Sequence, residues 1–470
     1  MSMTAEEFAA EIIRNLPYGP NEQQKLVIGA LSRFCSPTAP SDSAFLLNGY
    51  AGTGKTSLCG ALVRSLAAVG ISCMLLAPTG RAAKVFGAYA GHPAYTIHRK
   101  IYRHPAFGDM SSTVRAVLEN KYSGMIFIVD EASMITGQCG HDNVLEDLIH
   151  YVYTGDNCKL ILLGDTAQLP PVGSEFSPAM DAPTLRDYGL RVTRATLTET
   201  ARQAEHSGIL YNATWLRRAM RQDPLPLPKL FASRFTDVKI VNGEDMPEEL
   251  YNAYSRDGVQ ESIVITRSNQ RAAGFNREIR SSVLYLEEEL AKGEMLITSK
   301  NNYHWASNIK ELDFIANGDV LRVERVIGVE DRYGFRFADV TLSIPDTEIT
   351  FDAKIMLETL WMETANLPHE RMTQLYYSIM EDPELFSPST PADARLKALK
   401  TNPHWNALQV KYAYAVTCHK AQGGQWKNVF VDMSYIPTEA MGLDFYRWLY
   451  TAVSRARSRL FIIGADEYSS

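Results

Sequence analysis

A short glycine-rich motif near the start of the chain restricts its possible folds more than any other part of the sequence. Residues 49–56 read GYAGTGKT and match the pattern G-x-x-x-x-G-K-[ST], directly after the apolar run Ala44–Leu47 and directly before a helical stretch. In such a unit the backbone N–H groups and the helix N-terminus face a phosphate, the lysine reaches the outer phosphates, and the hydroxyl can ligate Mg²⁺. A plain glycine-rich turn is the alternative interpretation. The predicted nucleotide contacts are Gly52, Thr53, Gly54, Lys55, Thr56 and Ser57, and Thr56 is also a predicted magnesium ligand.

Two adjacent carboxylates follow a second apolar run. Residues 126–129 read IFIV and are followed by Asp130 and Glu131. A parallel sheet would place this pair beside the phosphates, because ligands bind at the carboxyl ends of such strands. We therefore expect Asp130 to hold Mg²⁺ and Glu131 to activate water. A carboxylate pair at the end of a strand can also be only a helix cap or a surface feature.

Bulk composition limits the partners and the compartment. The 470 residues include 47 Lys plus Arg and 54 Asp plus Glu, a net charge of −7, so any nucleic acid must bind in a local basic groove. The sequence contains no signal-like start and no apolar run near the roughly 18 residues of a membrane span. Six cysteines are scattered without a Cys-x-x-Cys pair, which suits a reducing compartment. We expect a cytoplasmic or nucleoid-associated protein without membrane contact.

The apolar runs predict two α/β units. Short runs of the kind that form buried parallel strands occur in two groups along the chain. The first group comprises Ala44–Leu47, Cys73–Ala77, Met125–Val129 and Leu160–Leu163, and the second Ile263–Thr266, Tyr414–Thr417, Val429–Asp432 and Leu460–Gly464. Each group favours a doubly wound sheet with its ligand at the carboxyl ends of the strands.

The remaining segments predict an opening helix and an insertion. Residues 4–7 form a capping-box pattern before an amphipathic stretch, which indicates a helix near the start of the chain. Asp319–Ile344 alternates apolar and polar residues around a turn, which predicts a small antiparallel barrel. Leu357–Asn402 is polar, helical in character and interrupted by prolines, and we interpret it as a helical excursion attached to that barrel.

Taken in order, these segments resemble the superfamily 1 helicases of the RecD-like, Dda-like and Pif-type branch over nearly the whole chain. Besides the two sites above, the resemblance rests on residues 77–84 (APTGRAAK), 164–172 (GDTAQLPPV), 197–203 (LTETARQ), 414–423 (YAVTCHKAQG) and 449–457 (LYTAVSRAR). It implies an α/β fold of two RecA-like P-loop NTPase domains. The first has a small wedge insertion, and the second contains an SH3-like β-barrel with a helical insertion. The predicted bounds are 1–195 for the first domain with a wedge at about 99–122, 196–300 and 405–470 for the second, and 301–404 for the insertion.

The resemblance also implies nucleotide-site roles outside the glycine-rich loop. Gln168 would sense the γ-phosphate, and Arg202 and Arg455 would be arginine fingers that act on the transferred phosphoryl group. Gln422 would face the nucleotide. Gln24 lies where the family places an adenine-reading glutamine, although the preceding residues depart from the family pattern and Gln23 could be the reader. The implied catalytic set is Lys55, Glu131, Gln168, Arg202 and Arg455.

A DNA-binding set follows from the same resemblance. The implied contacts of the first unit are Pro78, Thr79, Arg81, Lys84, Thr96 and His98. Those of the second are Thr266, Asn269, Asn276, Thr417, His419 and Lys420. Pro105 and Phe107 are candidates for the tip of a wedge that separates the strands, although a loop aromatic can also be simple packing.

The implied activity is an ATP-dependent DNA helicase that moves 5′ to 3′ on single-stranded DNA. Its cofactors would be ATP and Mg²⁺, and its partners single-stranded DNA and junctions of single- and double-stranded DNA, bound by a monomer. Two alternatives stay open. One is a single-strand translocase that remodels nucleoprotein without efficient unwinding, and the other is a nucleotide-gated DNA-binding switch with negligible turnover.

Overall fold

The structure is a computed structural model that describes residues 4–102, 116–137, 143–200 and 206–465, apart from residues 308, 310, 311, 313 and 346. Its first part contains α1 (Ala5–Arg14), α2 (Glu22–Cys35), β1 (Ser43–Gly49), α3 (Lys55–Ala68), β2 (Cys73–Ala77), α4 (Gly80–Ala90), β3 (Ala94–Thr96), α5 (Ile97–Ile101), β4 (Ile126–Val129), α6 (Val144–Thr154), β5 (Lys159–Gly164), α7 (Ala182–Asp187) and β6 (Arg191–Leu197).

The later part contains α8 (Gly208–Ala219), β7 (Val238–Val241), α9 (Met246–Asp257), β8 (Ser262–Thr266), α10 (Asn269–Glu278), β9 (Met295–Thr298), β10 (Val320–Arg332), β11 (Phe335–Ser343), β12 (Thr350–Met356), α11 (His369–Met380), α12 (Ala392–Thr401), β13 (Leu408–Tyr412), β14 (Ala415–Thr417), α13 (Cys418–Ala421), β15 (Trp426–Asp432), α14 (Leu443–Val453) and β16 (Ala456–Ile463).

The first sheet is parallel and is covered on both faces. Its strand order is β3-β2-β4-β5-β1-β6. Successive side chains of β1 enter different cores, since Phe45 and Leu47 pack in one apolar cluster and Ala44 and Leu46 in another. This explains why the central strands are continuous apolar runs and could be located from sequence. The capping box of α1 is confirmed, with the Thr4 hydroxyl accepting from the Glu7 N–H at 3.2 Å.

The second sheet is also parallel, and a closed barrel is inserted in its chain. The sheet order is β14-β8-β15-β16-β7, and the barrel order is β10-β11-β12-β13-β9. The predicted fold class, two RecA-like α/β units with an inserted barrel, is confirmed by this arrangement. The barrel extends beyond the predicted range 301–404. Strand β9 precedes that range and β13 follows it, and the two strands pair with each other through Val410 and Thr298.

The helical excursion is fixed to the far end of the barrel. The turn between β10 and β11 places Tyr333 and Gly334 at φ values of 57° and 74°. The Tyr333 hydroxyl donates to Asp382 at 2.6 Å, and Arg332 donates to the same carboxylate at 3.0 Å. Apolar residues of α11 and α12 then pack on Phe335 and neighbouring barrel residues. Residues 357–402 therefore brace the tip of this hairpin.

Candidate active site

The glycine-rich loop connects β1 to α3 as the sequence predicts. Gly52 and Gly54 have φ values of 74° and 80°, a region that favours glycine. A Cβ atom on Gly54 would lie 2.3 Å from the Tyr18 hydroxyl and 2.8 Å from Nε2 of Gln24. The loop therefore requires glycine at position 54 for both its conformation and its space. Lys55, Thr56 and Ser57 follow in the first turn of α3.

Lys55 faces the carboxylate pair across the end of the sheet. Its Nζ atom lies 3.9 Å from Oδ1 of Asp130, and the two side chains are only 11% and 14% exposed. Burial alone would lower the pKa of Lys55, but the charges of Asp130, Glu131 and Asp165 outweigh burial and raise it. Burial raises the pKa of Asp130, while the Lys55 charge opposes that shift. The site is thus a compact set of mutually compensating charges.

Glu131 has a strained backbone and an unsatisfied oxygen. Its φ is 51°, uncommon for a residue other than glycine, and its N–H donates to Oδ1 of Asp130 at 2.8 Å. The Oε2 atom is buried and has no hydrogen-bond partner among the described residues. A buried carboxylate oxygen normally finds a partner, so this atom is available to a water molecule or ligand in the cleft.

Arg455 of the second unit completes the cleft. Its Nη1 atom lies 3.9 Å from Oε1 of Glu131, and only 3% of the residue is exposed. The guanidinium donates to the carbonyls of Thr451 at 3.0 Å and Gly424 at 3.4 Å, and to the Ser454 hydroxyl at 3.0 Å. These bonds fix its orientation, so the second unit presents a rigid cation to the carboxylates of the first.

The segment after β5 links the two units. Gln422 of the second unit donates from Nε2 to the Leu169 carbonyl at 2.8 Å, and the Leu169 N–H donates to the Thr451 hydroxyl at 2.9 Å. Gln168 is 5% exposed, and its Oε1 atom is buried without a partner in the part of the chain that the structure describes. Gln168 and Gln422 therefore both lie at the junction of the units.

The two candidate adenine readers have other bonds in this structure. Oε1 of Gln24 accepts from the Asn21 N–H at 3.1 Å, and its Nε2 donates to the Thr53 carbonyl at 3.0 Å. Oε1 of Gln23 accepts from the Thr198 N–H at 2.7 Å. Gln24 thus braces the phosphate loop and Gln23 anchors the segment after β6. The assignment of an adenine reader stays a prediction.

Sequence reasoning missed the contacts that the second unit makes with the start of the phosphate loop. The Tyr50 ring is 9% exposed and packs with core residues of the second unit, with the Arg217 guanidinium 4.3 Å above it. The Tyr450 hydroxyl accepts from the Ala51 N–H at 2.9 Å. Only the aromatic residue at a variable position of the motif could have signalled this contact.

Predicted DNA contacts of the first unit lie at the starts of two short helices. Thr79 caps α4 by accepting from the Ala82 N–H at 3.2 Å, and Thr96 caps α5 by accepting from the Arg99 N–H at the same distance. The Arg81 guanidinium lies 3.8 Å from the centre of the Trp426 ring in the second unit. The remaining predicted residues of this group are Pro78 and Lys84, which are partly exposed or exposed on or beside α4, and His98 on α5.

The corresponding segment of the second unit approaches the same helix. A Cβ atom on Gly423 would lie 2.9 Å from the Cβ of Ala82, so the turn after α13 touches α4. His419 is exposed on α13. Nζ of Lys420 is buried without a hydrogen bond to any described residue, and burial, with a contribution from Lys411, lowers the pKa of Lys420 to about 8. Predicted DNA residues of both units therefore line one seam.

Two other residues of the predicted set are buried. Thr266 is 0% exposed, and its hydroxyl donates to the Ser268 carbonyl at 3.0 Å. Asn276 is 5% exposed and bonds with the backbone of Ala415 in both directions. These side chains hold β8, β14 and α10 together rather than face solvent, and their direct contact with DNA stays a prediction. Asn269 and Thr417 lie at the ends of elements beside this region.

Three predicted site residues lie outside the described residues: Arg202, Pro105 and Phe107.

The geometry defines a P-loop NTPase site between two RecA-like units, and comparisons with known proteins agree with that class. Residues 30–223 match the family described as AAA domain, and residues 412–463 match the UvrD-like helicase C-terminal domain. The chain is 23% identical over 433 residues to an ATP-dependent RecD2 DNA helicase of Deinococcus radiodurans, covering 89% of this chain and 47% of that protein. It is 22% identical over 450 residues to the ATP-dependent DNA helicase dda of Enterobacteria phage T4, covering 89% and 93%.

The family matches and these relatives confirm the resemblance to superfamily 1 helicases of the RecD-like, Dda-like and Pif-type branch. The chain spans about half the length of the RecD2 relative. A Bacteroides Pif1 helicase structure with ADP-AlF3 and single-stranded DNA covers 94% of this chain and 92% of its own, with 18% identity and a TM-score of 0.47. A Candida albicans Pif1 structure covers 95% and 94%, with 17% identity and a TM-score of 0.45. Because these TM-scores are low, the fold assignment rests on the strand orders.

Proposed function

We propose that this chain is an ATP-dependent DNA helicase that moves 5′ to 3′ on single-stranded DNA and opens duplex at junctions. The observation that carries the proposal is the joint site in which Arg455 of the second unit lies 3.9 Å from Glu131 of the first. Hydrolysis at such a site depends on the relative position of two units, which is how a nucleotide cycle becomes motion. The curated relatives named as DNA helicases support the substrate class.

The residues present suit phosphoryl transfer. Lys55 would hold the outer phosphates, Glu131 would orient and deprotonate the attacking water, and Arg455 would face the charge that develops on the transferred group. Gln168 would report the state of the outer phosphate to the junction of the units. Arg202 is proposed as a second arginine finger on the sequence resemblance alone.

Thr56 and Asp130 would hold Mg²⁺. Magnesium keeps several waters and needs only one or two protein ligands beside the phosphates, so this pair is sufficient. The buried Oε2 of Glu131 is a further acceptor for a water molecule in the same cleft. When bound, the ion would neutralise phosphate charge during transfer.

DNA would bind along the seam between α4 and α13. The side chains that would contact DNA phosphates are Arg81, Lys84, His419 and Lys420 along this seam and His98 on α5, and they are suited to backbone contact rather than to reading bases. Such binding would be independent of sequence and would weaken steeply with salt. The direction of travel rests on the sequence resemblance.

A nucleotide-gated switch without turnover is the rival from another class. A switch needs no water-activating carboxylate, whereas Glu131 presents a strained backbone and an unpaired oxygen at the phosphate side of the cleft. This observation favours hydrolysis. A translocase that unwinds poorly shares the whole site, so only strand separation distinguishes it from a helicase.

The decisive experiment compares unwinding of two partial duplexes, one with a 5′ tail and one with a 3′ tail, while ATP hydrolysis is recorded with and without DNA. Unwinding of only the 5′-tailed substrate with DNA-stimulated hydrolysis is the expected result. Stimulated hydrolysis without unwinding would support the translocase, and no hydrolysis would support the switch. Glu131→Gln should abolish turnover and spare ATP binding, and Glu244→Gln, at an exposed carboxylate, is its control.

We also propose a monomer in the cytoplasm or at the nucleoid. The five described cysteines are free thiols, as expected in a reducing compartment. No helix in the described ranges is long and apolar enough to cross a membrane.

A further inference from the structure

The second unit contacts three consecutive residues in the first half of the phosphate loop. Arg221 donates from Nη2 to the Tyr50 hydroxyl at 3.1 Å, and Arg217 lies over the same ring. At Gly52, a Cβ atom would lie 2.7 Å from Cδ2 of Leu210, so α8 packs directly against the loop. The residue between them, Ala51, receives the most specific of these contacts.

That contact is a hydroxyl bridge made by Tyr450. The Tyr450 hydroxyl donates to Oδ2 of Asp165 at 2.6 Å and accepts from the Ala51 N–H at 2.9 Å. Tyr450 and Asp165 are each 1% exposed. Burial, together with the Asp165 charge, raises the pKa of Tyr450 well above its usual range, so the group stays a phenol.

The donor and acceptor roles of the Tyr450 hydroxyl in this bridge are fixed. A phenol has a single proton, which goes to Asp165, and its lone pairs remain for the Ala51 N–H. The second oxygen of Asp165 accepts from the Ala167 N–H at 2.9 Å. Backbone of the phosphate loop and backbone of the segment leading to Gln168 are therefore joined through two buried side chains.

The helix that carries Tyr450 also contacts the DNA-facing side. The Cys418 thiol at the start of α13 donates to the Trp448 carbonyl on α14 at 3.5 Å, and His419 and Lys420 follow on α13. At its C-terminal end α14 leads into Arg455, whose Nε donates to the Thr451 carbonyl at 3.0 Å. A displacement of α13 by DNA would therefore reach Tyr450 and Arg455 through the same helix.

We propose that Tyr450 is a positioning residue that ties the phosphate loop to α14, so that DNA-stimulated turnover depends on its hydroxyl bridge between Ala51 and Asp165. The inference rests on the proposed function. Tyr450 acts on the loop and does not itself meet the reacting phosphate. Its hydroxyl fixes the position of the loop when Arg455 lies beside Glu131.

The chain offers a matched control one turn earlier on the same helix. The Tyr446 hydroxyl is also buried and donates to the Pro226 carbonyl at 2.6 Å, away from the phosphate loop. Tyr450→Phe and Tyr446→Phe each remove one buried hydroxyl from α14, with the loss of two hydrogen bonds at Tyr450 and of one at Tyr446. The measurements are kcat and KM for ATP with and without single-stranded DNA, and the thermal midpoint of each variant.

We expect Tyr450→Phe to lower the DNA-stimulated kcat at least about tenfold relative to Tyr446→Phe, with a smaller change in KM. Equal kinetics of the two variants in an active protein would overturn the inference alone. A wild-type protein whose hydrolysis does not respond to DNA would overturn the proposed function and the inference with it.

A second variant covers the case in which Tyr450→Phe does not fold. Asp165→Asn keeps the shape of the side chain and removes the charged acceptor of the Tyr450 hydroxyl. It should also lower the DNA-stimulated kcat, in part because the Asp165 charge supports Lys55, and Tyr450→Phe should cost less in the Asp165→Asn background than in the wild type, because the two side chains share one hydrogen bond. Additive losses, or no loss in Asp165→Asn, would contradict the bridge.

Discussion

Arg455 and Glu131 approach to 3.9 Å although they belong to different sheets and lie far apart in sequence. The Arg455 side chain is held by carbonyls of the second unit, and the Glu131 backbone is held at the bend after β4 by its N–H bond to Asp130. Two rigid halves of a site therefore meet across the junction. Relative motion of the units changes this distance directly.

Replacing the arginine tests the joint site. Arg455→Lys keeps the charge but cannot reproduce the planar group that donates to Thr451, Gly424 and Ser454. We expect kcat to fall by about 100-fold or more while ATP binding changes little, because arginine fingers act mainly on the transition state. Steady-state hydrolysis and binding of a fluorescent nucleotide measure the two effects. Arg457→Lys, at a partly exposed ion pair with Glu261, is the control and should retain activity.

DNA affinity should depend on pH through Lys420. The pKa of Lys420 is lowered to about 8, and a DNA phosphate beside it would raise that pKa again. Binding therefore favours the charged form of Lys420. The affinity for single-stranded DNA should be highest below about pH 8. It should be about tenfold lower one pH unit above that value, if the pKa of Lys420 in the complex stays well above that pH. Titration of labelled single-stranded DNA between about pH 7 and pH 9.5 measures this.

An arginine at the same position provides the comparison, because its charge persists over this pH range. Lys420→Arg should abolish most of the fall in DNA affinity between about pH 8 and pH 9.5. A wild-type profile that is already flat would show that Lys420 does not meet the DNA backbone.

Gly54 should tolerate no side chain. A comparison with Gly70 separates the effect of backbone strain from that of steric overlap. Gly54 and Gly70 have φ values of 80° and 73°, but a Cβ atom would meet the Tyr18 hydroxyl at 2.3 Å only at Gly54, and at Gly70 nothing lies within 4 Å. Gly70→Ala should cost about 1 kcal/mol of unfolding free energy and keep ATP binding. Gly54→Ala should weaken ATP binding at least about tenfold, since the new methyl group must displace either the loop or the Tyr18 and Gln24 side chains, and Gln24 braces the loop through the Thr53 carbonyl. Urea unfolding and nucleotide titration distinguish strain from displacement, and equal ATP binding by both variants would contradict the steric argument.

The brace at the barrel tip should affect stability rather than turnover. Tyr333→Phe removes the hydroxyl that donates to Asp382 at 2.6 Å. We expect a loss of about 1 to 3 kcal/mol in unfolding free energy, because a buried hydrogen-bonded carboxylate loses a partner. ATP hydrolysis without DNA should stay within about twofold. Tyr377→Phe, at an exposed ring of α11, should change neither quantity.

Much of the fold was accessible from sequence because its signals are local. The central strands β1, β2, β4 and β5 are buried on both faces, so each is an uninterrupted apolar run. The edge strands β6 and β7 were missed, since they carry exposed and charged residues and have no such run. The limits of the barrel were misplaced for a related reason, because β9 and β13 gain their partners only through long-range pairing.

The phosphate loop could be located from local sequence, because one contiguous motif fixes the glycines, Lys55 and Thr56 relative to a strand and a helix. The carboxylate pair could be located in the same way, since Asp130 and Glu131 directly follow the buried strand β4. The side chains that reach the loop from the second unit could be identified only after the chain had folded. Tyr450 meets Ala51 across 399 positions of sequence, and no local pattern encodes that contact. The burial of Thr266 and Asn276 was settled in the same way, because a polar side chain shows its partner only when the sheet around it has formed.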